Sequence, residues 1–115
     1  MLNRRALPLL ALVAPAVAQA PTEITVHYAQ PVIFKDSYDA IAAEFARREP
    51  GIRVNFITTV NYEEGMQLIL RQVATTLAVD LSYQGFNRLR LFAERGIAQD
   101  VMPMLRAEGD PAAMG

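Results

Sequence analysis

The chain contains no cysteine. That absence excludes a disulfide framework, a thiolate nucleophile, a cysteine-ligated metal site and the acylated cysteine of a bacterial lipoprotein anchor. Tryptophan is also missing, and His27 is the only histidine, so no metal centre can be assembled from several imidazoles. The six glycines (Gly51, Gly65, Gly85, Gly96, Gly109 and Gly115) are scattered, and neither GxGxxG nor GxxxxGK followed by Ser or Thr occurs. Nucleotide binding through a glycine-rich phosphate loop is therefore unsupported. Charge of one sign is lacking too: eleven Lys plus Arg stand against twelve Asp plus Glu, a formal net of −1. This balance gives no electrostatic footprint for nucleic acid or an anionic membrane surface as partner.

The 115 residues, 52% hydrophobic and 20% charged, fit one small globular domain. Arg4 and Arg5 precede the apolar run from Ala6 to Val13, and the small-residue stretch from Ala14 to Ala20 follows. The order basic, apolar, small is that of a secretory signal peptide. The run is short of the roughly 20 apolar residues a membrane span needs, and Pro8 and Pro15 interrupt it. Pro21 disfavours a cut after Ala20, so cleavage is expected after Ala16-Val17-Ala18. Residues 1–18 are then the signal peptide and residues 19–115 the mature, periplasmic part. That part keeps nine basic against twelve acidic residues, a net of −3.

The mature stretch alternates short strand patterns with longer helical ones. Ile24, Val26 and Tyr28 alternate with Thr25, His27 and Ala29, which predicts a first strand over 23–29. Phe34, Tyr38, Ile41, Ala42 and Phe45 share one helical face, with Asp36 or Ser37 as the expected cap and Glu49-Pro50-Gly51 as the stop. Ile52, Val54 and Phe56 mark a second strand ending near Thr58. Asn61 and Glu64 have the spacing of a capping box, and Met66, Ile69, Leu70, Val73 and Leu77 form the buried face of the helix they open, with Gln67, Arg71, Gln72 and Thr75 outward. Residues 81–84 read as a third strand, 85–87 as a turn and 88–95 as a third helix closed by Gly96. Successive strand-helix-strand units imply an α/β fold with a parallel sheet and right-handed crossovers.

In such sheets ligands sit beyond the carboxyl ends of the strands. Three segments occupy those positions: Gln30-Pro31, Asn61-Tyr62, and Gln84-Gly85-Phe86-Asn87. Uncharged amides, one permissive glycine and nearby Tyr28, Tyr62, Tyr83 and Phe86 suit a small polar, polyhydroxylated molecule. Taken singly, each of these residues is better explained as a cap, a turn former or core; three polar clusters at three successive strand ends favour a site. No catalytic set is apparent: His27 lies inside a strand and reads as a half-buried structural imidazole. Asp36 with Asp39, and Glu63 with Glu64, read as helix-start acids, and Arg88, Arg90 and Arg95 as a solvated helix face.

The succession ITVHYAQPVIFKDSYDAIAAEFARREPGIRVNF, then NYEEGMQLILRQVA, then VDLSYQGFNRLRLFAERGIAQDVMPML resembles the extracellular solute-binding proteins that serve ABC importers of sugars and glycerol phosphate-like compounds. The likeness runs from Ile24 to about Leu105. It implies a two-lobe periplasmic binding protein-like fold of type II, of which this chain holds the parallel βαβαβ portion of an incomplete first lobe. It further implies a monomer without cofactor, catalytic residue or metal, which captures a small polar solute of sugar or polyol type for the membrane permease. Gln30, Pro31, Tyr62, Gln84, Gly85 and Asn87 are the implied ligand contacts. Two features depart from the pattern: Thr76-Leu77-Ala78-Val79 replaces a Gly/Pro-containing loop before Asp80, so the helix end there is expected to be irregular, and no tryptophan is available to stack on a sugar. With one lobe incomplete and the other absent, the chain alone is expected to bind solute weakly or not at all and to be marginally stable. A secreted α/β enzyme fragment and a stand-alone, non-transporting interaction module remain the alternative readings.

Overall fold

A computed structural model describes residues 20–109 and Ala112. The expected signal peptide, residues 1–18, lies outside the described residues.

The strand-helix alternation forms as the periodicities predict. Strand β1 (Thr22–Ala29), helix α1 (Pro31–Arg48), strand β2 (Ile52–Thr59), helix α2 (Tyr62–Gln72) and strand β3 (Leu81–Ser82) follow one another. A 3-10 turn (Phe86–Arg88), helix α3 (Leu89–Glu94) and helix α4 (Met102–Glu108) come after them. The sheet is parallel with order β2-β1-β3. β1 pairs with β2 along its whole length, from Thr22 opposite Ile52 to Ala29 opposite Thr59, and with β3 only at Val26–Leu81 and His27–Ser82. Two further bonds extend the β3 contact, from Asp80 N to Thr25 O and from Tyr83 N to His27 O, both 2.9 Å. The Asp80 carboxylate also accepts from Thr25 N at 2.7 Å. The fold is α/β.

A central strand covered on both faces is buried whichever way its side chains point. Val26, His27, Tyr28 and Ala29 are all buried, His27 completely. Tyr28 meets Tyr38 of α1, and His27, one residue earlier and hence on the other face, meets Gly65 of α2. The two crossover helices therefore cover opposite faces of β1, and the chain reverses direction across the sheet between β1 and β3.

Several boundaries differ from the sequence reading. Helix α1 starts five or six residues before the expected cap: Gln30 is its N-cap, in the left-handed region at φ 59°, ψ 57°, and Pro31 enters the first turn. Proline lacks an N–H that the first turn would leave unpaired anyway, and its fixed φ suits that position. Asp36 and Asp39 consequently lie inside the helix, where Asp39 pairs with Lys35. Ile41 is 61% exposed, because α1 packs on the sheet through the narrower stripe of Phe34, Tyr38, Ala42 and Phe45. Helix α2 ends at Gln72, so Val73 and Leu77 are exposed rather than core, while Gln72 buries its amide oxygen instead of facing outward. β3 stops at Ser82, and α3 begins only after the 3-10 turn. Gly96 follows α3 at φ 66°, a left-handed position that closes a helix cheaply only with glycine. Met102–Glu108 forms a further helix with Pro103 in its first turn.

The helix α2 start is a capping motif. Asn61 Oδ1 accepts from Glu64 N at 2.8 Å, and Glu64 reaches back to accept from Val60 N at 3.3 Å, one residue before the cap. Loss of an N-cap costs about 1 kcal/mol. Asn61→Ala is expected to lower the unfolding free energy by about that amount in urea denaturation, and Asn61→Asp to leave it nearly unchanged.

Candidate functional site

The carboxyl ends of the three strands are wired together by one chain of hydrogen bonds through His27. Its Nδ1 stands 2.8 Å from Ser82 Oγ on β3, and its Nε2 2.9 Å from Thr59 Oγ1 on β2. Thr59 donates its hydroxyl proton to Asn61 O at 3.0 Å, so it must accept from Nε2–H. Gln84 Nε2 donates to Ser82 Oγ at 3.0 Å, leaving the serine proton for Nδ1. Each hydroxyl then donates once and accepts once, and the imidazole is neutral with its proton on Nε2. Burial pushes the His27 pKa below its ordinary value, which favours the same neutral form.

Gly65 makes this geometry possible. A Cβ there would fall 2.6 Å from His27 Cε1 and 3.1 Å from Gln84 Nε2, so any side chain would push α2 away from the ring. The site's outer half is held by a second tie: Arg88 donates to Glu63 of α2 at 2.8 Å. Arg88 is thus a largely covered link between the loop after β3 and the first turn of α2, not part of a solvated face. That pairing holds the Glu63 carboxyl below its usual range.

On the other face Tyr38 is the hub of an aromatic cluster. Its ring lies 4.3 Å from Tyr28, 4.9 Å from Tyr83 and 6.1 Å from Phe56, centroid to centroid. Burial, followed by the electrostatic influence of Tyr83, Tyr62 and Tyr28, raises the Tyr38 pKa. The other three tyrosines of the chain thus all lie close enough to influence Tyr38.

The six expected contact residues divide. Gln30 is the one non-glycine residue at positive φ among the described residues, a conformation that costs about 1 kcal/mol or more. Its N–H continues the ladder to Thr59 O at 2.9 Å, and its carbonyl accepts from Ile33 N and Phe34 N, which leaves its side chain free of the backbone's needs. Pro31 serves as the first turn of α1 rather than presenting a donor. Tyr62 opens α2 and is half-buried. Gln84 belongs to the His27 chain, and its amide oxygen is buried without a partner. Gly85 has ordinary φ and ψ, but a Cβ there would meet Asn87 Oδ1 at 2.7 Å, so Asn87 folds back over it. Gln84 and Gly85, with Ile69, Leu81, Phe86 and Phe92, line a largely apolar groove of about 500 Å³. Gln30, Pro31, Tyr62 and Asn87 lie outside that groove. The sequence reading missed Thr59, Ser82, Gly65 and Tyr38 as parts of the site. A hydroxyl at the last position of a strand or a glycine in a helix carries no signal of its partner in the sequence.

Among the described residues no group of three or more His, Asp or Glu side chains is placed to hold a metal ion. No helix among them is long and apolar enough to cross a membrane. Searches against family models, curated proteins and solved structures return no match to this chain.

The buried neutral His27 sets a pH dependence. Its folded pKa lies below the ordinary value of 6.5, so the unfolded chain binds the proton first as pH falls. Stability is full above about pH 6.5 and declines below it, by at most about 1.4 kcal/mol per pH unit, until the folded ring also protonates. The exposed Glu44 and Glu63, whose pKa values are lowered by Arg47 and Arg88, contribute only below their ordinary 4.5. Chemical denaturation is expected to give a constant midpoint from pH 8 to about 7 and a falling one between about 6.5 and 5; a flat profile over the lower window contradicts this.

Proposed function

We propose that this chain supplies first-lobe ligand contacts of a periplasmic solute-binding component of an ABC importer, which captures a small polar solute of sugar or polyol class for a membrane permease. The observation that carries the reading is the sheet order β2-β1-β3. In a parallel sheet of that order the first connection steps from β1 to β2 on one side and the second crosses back past β1 to β3 on the other, and the crevice at the reversal is where ligands of open α/β sheets bind. The loops after β1 and β3 flank it with uncharged side chains, those of Gln30, Gln84 and Asn87, and Tyr62 stands at the neighbouring strand end. The strained backbone at Gln30 supports the same reading, since left-handed non-glycine residues persist where surrounding structure holds them and cluster at ligand sites. The order of segments from Ile24 to Leu105, basic-apolar-small residues ahead of them, supports export and a transport role.

A secreted enzyme fits less well. Both nitrogens of the single imidazole are engaged in joining strands, and the acidic residues near the strand ends serve α2: Glu63 pairs with Arg88 and Glu64 caps the helix. An interaction module of the same fold would bind protein through the exposed Val32, Val60 and Phe86 and would not respond to small solutes.

The test is titration of the ¹⁵N-labelled chain with a panel of neutral sugars, polyols and glycerol phosphate, read by amide shifts. Weak binding on the order of millimolar is expected, with perturbations confined to Gln30, Tyr62, Gln84, Gly85 and Asn87. Perturbations that map elsewhere, or tight, saturable binding by this chain alone, would sink the reading.

A further inference from the structure

We propose that His27, Ser82 and Gln84 form a proton-responsive relay, in which a proton taken up at His27 Nδ1 turns the Gln84 amide at the ligand end of the sheet.

The argument rests on directionality. Ser82 has one hydroxyl proton and stands between Nδ1 at 2.8 Å and Gln84 Nε2 at 3.0 Å. While the ring is neutral, Ser82 donates to Nδ1 and accepts from the amide. Once Nδ1 carries a proton, the ring becomes the donor on that side, and the serine proton must point at Gln84. There it meets Nε2, another donor. A half-turn of the amide replaces that donor with Oε1, which in the neutral state is a buried acceptor without a partner. The protonated chain then runs from Nδ1–H to Ser82 Oγ and from Ser82 Oγ–H to Gln84 Oε1.

The response travels in one direction. Nε2–H donates to Thr59 in both states, and Thr59 continues to donate to Asn61 O, so the loop after β2 keeps its bonds while the loop after β3 changes. The ring cannot answer by swinging into water, because it is fully buried and the α2 backbone at Gly65 lies against it. Among the described residues no charged group competes for the proton. Glu63 and Glu64 on α2 are occupied by Arg88 and Val60 N, Arg71 on α2 is exposed, and Arg53 on β2 faces Glu23. Asp80 before β3 accepts from Thr25 N. Burial alone depresses the His27 pKa, so the relay operates on the acid side of pH 6.5.

Because His27 is the only histidine, its ring can be followed without ambiguity in the ¹⁵N-labelled full chain. Ring nitrogen and Gln84 carboxamide resonances are recorded together from pH 8 downward. The expected result is a proton on Nε2 alone at high pH, and a Gln84 carboxamide shift with the same midpoint as the ring, while Thr59 and Asn61 amides move little. In Gln84→Leu, protonation leaves the serine hydroxyl without an acceptor, whereas the neutral state loses only a donor to an oxygen with a second lone pair. The ring midpoint is therefore expected to fall by about half to one pH unit. Carboxamide resonances that stay constant through the ring titration, an unchanged midpoint in Gln84→Leu, or a ring that never titrates before unfolding would each overturn the proposal.

Discussion

The arrangement depends on one buried imidazole that must satisfy both of its nitrogens. His27 sits in the only strand among the described residues with neighbours on both sides, and a fully buried polar ring is tolerated only when each nitrogen has a partner. Those partners, Thr59 and Ser82, come from the two outer strands. The requirement thereby fixes how far β2 and β3 advance along β1, and hence where each of them releases the chain. β3 has just two ladder residues, too few to set its own register by backbone pairing; the side-chain bond to His27 and the Asp80–Thr25 contact do so. Helix α2 is drawn into the same constraint, since only a glycine at position 65 lets its backbone approach the ring.

The opposite face of β1 solves a different problem. There Tyr28 packs into the aromatic cluster around Tyr38, with Phe34, Phe56 and Tyr83 contributing. Such contacts are strong in buried area but permissive in angle, so this face supplies cohesion and the His27 face supplies position. The division suits the proposed ligand site. Loops that emerge from strand ends need exact placement, and it is the polar face that reaches Gln84 on one side and Asn61 on the other. The surface ion pairs of α1, by contrast, join exposed residues to neighbours on the same helix and add little to either task.

Much of the fold was legible in the sequence because period and punctuation agreed. The alternation over 23–29 and 52–58, the Asn61 and Glu64 cap, and Gly96 after α3 each rest on local chemistry that the chain cannot easily evade. The failures have equally local causes. Pro31 reads as a strand stop and is also a first-turn residue, and the second role prevailed because Gln30 accepts a left-handed backbone. The helical stripe of α2 runs on to Leu77, yet the helix ends at Gln72 because the chain must return to place Asp80 opposite Thr25. Ser82 and Tyr83 extend a β-like run, but no third partner prolongs the strand among the described residues. For the site, position was readable and connectivity was not. The amides at the strand ends follow from topology, whereas the bonds that join them run through Thr59, Ser82 and Gly65, which lie 32, 55 and 38 residues from His27.

The most direct test of this account is a double-mutant cycle between Thr59→Val and Ser82→Ala, read by urea denaturation at pH 8. The two residues sit on strands that do not touch, and they are joined only through the ring of His27. If the hydrogen-bond chain acts as a unit, each single change strands one imidazole nitrogen and the pair departs from additivity by more than about 0.5 kcal/mol. Additive losses would contradict the claim that His27 holds the three strand ends as one body.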